Sequence, residues 1–296
     1  MAPHRTRVLT PGFEGSALLP TLLCFGFGYS AATLARRLVA RDWTVRGTSR
    51  DPAMRAIKGV EIFRFDRATP LPDEALAGVT HVLSSIAPDD TGDPVLDVEG
   101  ARLAVCPTLA WVGYLGTTAV YGDRDGGWVD ETAELAPTSS RGRRRVAAER
   151  AWLASGLPVH VFRLAGIYGP GRSAVDQLRA GTARRIVKPG QVFSRIHVAD
   201  IANVLAASIA RPHPGRVYNV CDDEPAPPHD VVAYAAARLG LPVPPELPFE
   251  TAELSPMARS FYADNRRVSN ARIKAELDVG LQYPTFRAGI DDLALE

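Results

Sequence analysis

A glycine turn near the N-terminus constrains the fold more than any other feature of the sequence. Residues 25–31 have the sequence FGFGYSA, which contains the spacing G-x-G-x-x-A. The turn follows the apolar run 22–24 and precedes residues 32–39, whose apolar positions have helical spacing. A strand, a glycine turn and a helix in this order are typical of a dinucleotide-binding site, and the alternative is a plain βα turn.

Each position of this turn has a physical role. Gly26 allows the tight turn, Gly28 lets the backbone approach a pyrophosphate, and Ala31 lets the helix pack closely on the strand. The helix N-terminus then offers unpaired N–H groups and a positive partial charge to phosphates. The residues predicted to bind the cofactor here are Gly26, Phe27, Gly28, Tyr29, Ser30 and Ala31.

Size, charge and cysteine content exclude several classes of protein. The chain has 296 residues, enough for one large α/β domain or a nucleotide domain with a smaller lobe. With 34 Lys+Arg against 33 Asp+Glu, we expect neither a nucleic-acid nor a membrane partner. The 3 cysteines form no C-x-x-C pair, which indicates neither disulfides nor a metal site and suits the reducing cytoplasm.

The first twenty residues precede the predicted first strand. Arg5 and Arg7 stand before the apolar run 17–23, a pattern that faintly resembles a signal peptide. Cleavage there would destroy the glycine turn, because the end of the run is needed as the first strand. We therefore expect residues 1–20 to be a mobile tail or an artefact of the chosen start codon.

Short apolar segments alternate with helical ones through the first half of the chain. The further predicted strands are 43–48, 60–65, 79–85, 110–115 and 158–164. This alternation predicts an α/β fold, a Rossmann-like doubly wound parallel sheet. Its ligand should lie beyond the carboxyl ends of the strands. Ser84 and Ser85, which end the fourth strand, are therefore predicted to bind the cofactor, and helices are predicted at about 229–239 and at 268–277.

Several motifs carry a resemblance to a known family. Besides the glycine turn, they are TTAVYGD at 117–123, DE at 130–131, RLAGIYGPGR at 163–172, RIHVAD at 195–200 and VYNV at 217–220. In order and spacing they resemble the extended short-chain dehydrogenase/reductase group, and within it the atypical branch of NAD-dependent epimerase/dehydratase proteins. The resemblance covers roughly residues 21–295.

The resemblance implies two domains and a substrate pocket. Residues 21–165 plus 196–220 would form the NAD(P)-binding Rossmann domain, and 166–195 plus 221–296 a smaller C-terminal substrate lobe that closes the crevice. It also implies a possible homodimer, and architectural roles for His197 and Asp200. The residues predicted to bind substrate are Tyr121, Tyr168 and Arg172, although the family's tyrosine at the first of these positions is mostly structural.

The family's catalytic set is a Ser/Thr with a Tyr-x-x-x-Lys pair, and this chain departs from it. The resemblance places Thr117 at the Ser/Thr position, Arg141 at the tyrosine and Arg145 at the lysine. Arginine does not deprotonate near neutral pH, so the usual tyrosine-centred proton transfer cannot be carried over. Arg141 and Arg145 could bind an anionic substrate or cofactor phosphates, or could belong to a solvated basic helix face.

The end of the second strand bears on the choice of cofactor. In the family an acidic residue there holds the adenosine ribose of NAD, whereas this chain has Ser49 followed by Arg50. These residues suit a 2′-phosphate, so NADP(H) is preferred over NAD(H). A register shift of two residues would instead make Asp51 the ribose acid. Asp66, after the third strand, would contact adenine or cap the following turn.

Together these features predict an NAD(P)-binding, epimerase/dehydratase-like oxidoreductase. Its substrate would be a small polar metabolite, anionic because of the arginines. The alternative is a non-catalytic NADP(H)-binding redox sensor or interaction scaffold, which the missing tyrosine favours. An enclosed polar pocket beside the nicotinamide would separate the two, because an enzyme needs one and a sensor does not.

Overall fold

A parallel sheet of seven strands organises the chain in a computed structural model that describes residues 19–55 and 57–295. The strands among these residues are β1 Thr21–Phe25, β2 Thr44–Ser49, β3 Val60–Arg64, β4 His81–Ser84, β5 Trp111–Thr117, β6 Trp128–Val129, β7 Val159–Leu164, β8 Gly166–Tyr168, β9 Arg185–Val187, β10 Arg195–His197, β11 Val217–Val220, β12 Glu246–Pro248 and β13 Arg267–Val268. The sheet order β11-β7-β5-β4-β1-β2-β3 reverses direction between β1 and β4. That switch point is where open α/β sheets bind ligands.

Helices cover both faces of this sheet and build the outer parts of the molecule. They are α1 Tyr29–Val39, α2 Asp73–Leu76, α3 Pro94–Ala104, α4 Ser140–Ala154, α5 Ala174–Arg179, α6 Val198–Ala210, α7 Pro228–Arg238, α8 Pro256–Phe261, α9 Ala271–Leu277 and α10 Phe286–Leu295, with 3₁₀ turns at Pro52–Arg55 and Thr118–Tyr121. Within the described residues, no helix is long and apolar enough to cross a membrane.

Burial explains why the central segments form strands. All five residues of β1 are buried, as expected for a parallel strand covered on both faces. In α1 the buried residues recur at helical spacing on the side that faces the sheet. Two smaller apolar clusters lie outside the sheet, one around Tyr168 and α7 and α10, the other around Ile186, Ala252 and Tyr262. The boundaries of the two expected domains stay a prediction.

The structure confirms the predicted α/β class and corrects several element boundaries. The fifth strand extends through Thr117 rather than ending before it. The last predicted helix begins at Ala271, because Arg267–Val268 pairs as a strand with β6. Val217–Val220 joins the main sheet as its outer strand, paired with β7. The expected tail at 1–20 lies outside the described residues apart from Leu19 and Pro20.

Candidate functional site

Gly26 occupies a position that only glycine adopts easily. Its φ is +82°. A Cβ atom there would lie 2.8 Å from Ser85 Oγ and 2.9 Å from Ile86 Cγ1. The Ser85 hydroxyl donates a hydrogen bond to the Gly26 carbonyl, which ties the end of β4 to the turn. The protein's own packing therefore requires Gly26, with or without a ligand.

Gly28 differs, because no protein contact requires it to lack a side chain. Its φ is −96°, and a Cβ atom there would meet no atom within 4 Å. The helix α1 that follows has no side-chain cap at its N-terminus. An open approach to an uncapped helix N-terminus fits the phosphates of a dinucleotide, so the residues present fit the cofactor implied by the sequence.

The other predicted residues of the turn contribute packing. Phe27, Ser30 and Ala31 are buried, and the Phe27 ring fills the space that a side chain at Gly47 would need. The Tyr29 hydroxyl donates to the Pro170 carbonyl at 2.9 Å. Through this bond the start of α1 is connected to the loop that the sequence assigns to substrate binding.

The end of β2 leaves the choice between the two cofactors open. The Ser49 hydroxyl is bonded to its own loop, accepting from the Asp51 N–H at 3.1 Å and donating to the Asp51 carbonyl at 2.9 Å. Arg50 is exposed, and its guanidinium has no hydrogen-bond partner among the described residues. A 2′-phosphate contact from Arg50 and a ribose contact from Asp51 therefore both stay predictions.

Asp66 and Ser84 are two further residues predicted to bind the cofactor, and the structure places the first in a turn and the second in the core. The Ala68 N–H donates to Asp66 Oδ1 at 2.9 Å, and hydrogen bonding, chiefly from the Thr69 side chain, lowers the pKa of Asp66. The turn-capping interpretation is therefore realised, and the adenine contact stays a prediction. Ser84 is fully buried at the end of β4, and its hydroxyl has no hydrogen-bond partner.

The three predicted catalytic residues point to different neighbours. Thr117 Oγ1 accepts a hydrogen bond from the Ala119 N–H at 3.2 Å, which caps the 3₁₀ turn. Arg145 donates through Nη1 to the Leu115 carbonyl at 3.0 Å and to the Tyr114 hydroxyl at 3.2 Å. The Arg141 guanidinium lies 5.2 Å from the centre of an aromatic ring in α8. The arginines therefore do not converge as a Tyr-Lys pair would.

Two cavities share part of their lining, and the first lies at the carboxyl edge of the sheet, where β5 and β7 end. The first, about 410 Å³, is lined by Thr117, Thr118, Arg195, Phe261, Tyr262, Asp264 and Arg266, among others. The second, about 520 Å³, is lined by Tyr168, Arg172, Asp176, Arg184, Arg195 and Tyr262, among others. Their charged lining residues are four arginines and two aspartates, an excess of positive charge. Such a lining attracts anions.

The three residues predicted to bind substrate lie in different environments. Arg172 is exposed and lines the second cavity. Tyr168 lines both cavities, but its hydroxyl is buried without a hydrogen-bond partner. Tyr121 is fully buried, where its hydroxyl donates to Asn219 Oδ1 at 2.7 Å and accepts from Arg163 Nη1 at 2.8 Å. Tyr121 thus belongs to a structural network, and its substrate contact stays an untested prediction.

His197 and Asp200 have the architectural contacts expected of them. His197 Nδ1 accepts from the Ala199 N–H at 3.2 Å and caps α6. Asp200 accepts from the backbone N–H groups of Gln282 at 2.8 Å and Tyr283 at 2.9 Å. These bonds join α6 to the segment that leads into the last helix.

Sequence reasoning missed Tyr262, Asp264 and Arg266 as cavity residues. Arg266 stands in an Arg-Arg pair, which is common on protein surfaces and gave no signal. Its partial burial, with the side chain 14% exposed, follows from the pairing of β13 with β6. Arg195 was visible only as part of the motif at 195–200.

Comparison with known proteins agrees with this geometry. No family model matches the sequence. A conserved protein of unknown function from Silicibacter pomeroyi is 58% identical, with a TM-score of 0.86 over 93% of this chain and 98% of that one. A Methylobacillus flagellatus protein provisionally ascribed to the NAD-dependent epimerase/dehydratases is 26% identical, with a TM-score of 0.72 over 94% and 98%.

Two curated relatives match over most of their length. Protein YeeZ of Escherichia coli is 28% identical over 276 residues, 88% of this chain and 94% of YeeZ. The 3-diazoavenalumate denitrifying reductase of a Streptomyces species is 29% identical over 279 residues, 88% and 81% of the two chains. These similarities confirm that the chain resembles the NAD-dependent epimerase/dehydratase proteins of the extended short-chain dehydrogenase/reductase group, and YeeZ among its curated relatives.

Proposed function

We propose that the protein is an NADP(H)-dependent oxidoreductase or epimerase-like enzyme that acts on a small anionic metabolite. The observation that carries the proposal is the pair of adjoining cavities whose charged lining is mainly arginine, the first of which is lined by Thr117. A cofactor sensor or scaffold has no need of such a pocket, whereas an enzyme must enclose its substrate. The relative named for diazoavenalumate, an organic acid anion, supports a substrate of this charge.

The chain's own groups would bind the cofactor through backbone rather than through charged side chains. The open approach at Gly28 and the uncapped start of α1 would receive the pyrophosphate, and Arg50 would pair with the 2′-phosphate. When bound, the nicotinamide supplies or accepts a hydride.

The cytoplasm is the proposed location, since the three cysteines are free thiols.

Thr117 is suited to orient the reacting oxygen. Its Oγ1 accepts the Ala119 N–H bond, which leaves the hydroxyl proton free to be donated to a substrate oxygen in the cavity. The arginines that line the cavities would bind the negatively charged group of the substrate. With Arg141 and Arg145 directed elsewhere, we expect catalysis to rest on positioning and electrostatics.

Tyr262 is a proposed hydrogen-bond donor to the substrate and does not replace the family's tyrosine as the proton-transfer group. Its side chain lines both cavities, and its hydroxyl has no hydrogen-bond partner among the described residues. Burial raises the pKa of Tyr262. The phenol is therefore protonated at neutral pH, so it can donate a hydrogen bond to a substrate oxygen, whereas the raised pKa makes it a poor proton donor and excludes it as a resting base.

Calorimetric titration with NADP(H) and NAD(H) tests the proposal. We expect NADP(H) to bind more tightly, and Arg50→Ala to weaken NADP(H) binding about tenfold or more while leaving NAD(H) binding unchanged. Arg41→Ala, another exposed arginine, is the matched control. If Asp51→Ala weakens NAD(H) instead, the ribose alternative is right. If neither cofactor binds, the oxidoreductase proposal is wrong.

A further inference from the structure

Arg266 combines partial burial, a fixed position and unused hydrogen-bond donors. Its Nη1 donates to the Gly122 carbonyl at 2.7 Å and to Asp264 Oδ2 at 2.9 Å. Its Nε and Nη2 have no hydrogen-bond partner among the described residues, and neither is among the fully buried atoms. Arg266 lines the first cavity, and these two groups are the donors that it has left for a ligand.

The guanidinium is held in place by groups that are themselves bonded. Asp264, which accepts from Arg266, also accepts the Thr138 hydroxyl through Oδ1 at 2.6 Å. An arginine already fixed through Nη1 loses little conformational freedom when a ligand binds to the opposite edge. The Nε–Nη2 edge presents two parallel N–H groups, which match the two oxygens of a carboxylate.

Arg266 is also connected to the part of the site where Thr117 lies. Gly122, whose carbonyl it binds, directly follows the 3₁₀ turn that Thr117 caps. Thr117 and Arg266 line the same cavity. An acid group on Arg266 would therefore hold the rest of a small molecule against the proposed reacting centre.

The remaining lining of this cavity indicates what that molecule is. Asp264 offsets the positive charge of Arg266, and Arg195 leaves the lining with a net positive charge. The Nη1 group of Arg195 donates to the Phe193 carbonyl at 2.8 Å. Most of the other lining side chains are apolar, including Leu164, Val192 and Phe261. Apolar walls with one fixed fork of donors suit an amphiphilic acid better than a highly polar molecule.

We propose that Arg266 anchors the carboxylate of an organic acid with an apolar body, through a bidentate pair on its Nε–Nη2 edge. This inference rests on the proposed function, because it assigns the substrate class of the same cavity. It names Arg266 as a substrate-binding residue that the family's catalytic pattern does not contain.

A matched pair of ligands tests the anchor. The probes are 3-phenylpropionate and its neutral amide, titrated by calorimetry or ligand-observed NMR into protein loaded with NADP⁺. We expect the acid to bind about tenfold tighter than the amide. Arg266→Lys, which keeps the charge but lacks the fork, should remove most of that preference. Arg267→Lys is the control, because Arg267 also binds a backbone carbonyl but does not line either cavity.

Each outcome bears on the anchor separately from the proposed function. Three results would each overturn the anchor: equal binding of acid and amide, an unchanged preference in Arg266→Lys, or no binding of the acid up to about 10 mM. That concentration is the range in which a ligand this small is expected to bind. The affinity for NADP⁺ is measured in every variant and shows whether that variant is folded. If wild-type protein binds NADP⁺ but not the acid, only the anchor fails; if it does not bind NADP⁺, the proposed function fails.

Discussion

The glycine turn and the cavity around Arg266 lie at the same edge of the sheet but are built in different ways. The turn consists of backbone from consecutive residues, held by packing against Ser85 and Ile86. The cavity consists of side chains brought together from distant parts of the chain, and its two arginines are fixed by hydrogen bonds to backbone carbonyls. A site made of backbone depends on conformation, whereas a site made of side chains depends on each group's chemistry.

Two alanine substitutions in the turn should separate folding from binding. Gly26→Ala should lower the free energy of unfolding by about 2–4 kcal/mol, because it combines a positive φ with contacts below 3 Å. Gly28→Ala should change it by less than about 1 kcal/mol, since its Cβ meets open space. Both should lose most cofactor affinity. Urea denaturation and calorimetry measure the two effects, and equal destabilisation by the two variants would contradict this account.

The same difference explains how much could be predicted from the sequence. The turn, the strands of the first half and α1 follow from local patterns of glycine and apolar residues, and these predictions were confirmed. The position of Arg266 depends on a two-residue strand that pairs with β6, far away in the chain. Arg141 was placed by the family's spacing, but its partner ring comes from α8, which no local signal could indicate.

Low pH should reduce the stability of the central sheet, on which both regions depend. His160 is fully buried, its Nδ1 lies 3.3 Å from the Val112 carbonyl, and its Nε2 accepts the His213 N–H at 2.8 Å. Burial lowers the pKa of His160 to about 4, whereas in the unfolded chain it is about 6.5. The unfolded state therefore binds the proton first, so stability is full above about pH 6.5 and falls towards pH 4.

The free energy of unfolding should fall by about 3 kcal/mol on account of His160, because its pKa is about 4 in the folded chain and about 6.5 in the unfolded one. Urea midpoints measured between neutral pH and the acid end of that window check it, with His160→Gln as the variant that should lose this part of the pH dependence. Arg266 keeps its charge throughout. Acid-probe binding should therefore persist down to about pH 5.5, above the range in which the probe's own carboxyl takes up a proton, while stability already declines. A parallel loss of both above that pH would show that the cavity itself titrates.

Thr117→Val tests whether the cavity wall acts through a hydroxyl. Loss of the turn cap should cost about 1 kcal/mol of stability. Cofactor affinity should stay unchanged, and turnover of an acid substrate should fall about a hundredfold, because a donor to the reacting oxygen is lost. Thr117→Ser keeps the hydroxyl and should retain most activity. Full turnover in the valine variant would leave Thr117 with its capping role alone.

Arg141 should give the smallest effect, and it decides whether the family's tyrosine position retains a function here. Its guanidinium lies over the ring of Phe261, which is 54% exposed in a helix that buries no residue. An exposed pair of this kind contributes about 0.5–1 kcal/mol, measurable as the coupling between Arg141→Ala and Phe261→Ala in a double-mutant cycle. If Arg141→Ala also weakens the acid probe while Phe261→Ala does not, Arg141 contacts substrate directly. If both weaken it equally, Arg141 acts by holding α8 over the cavity that Phe261 lines.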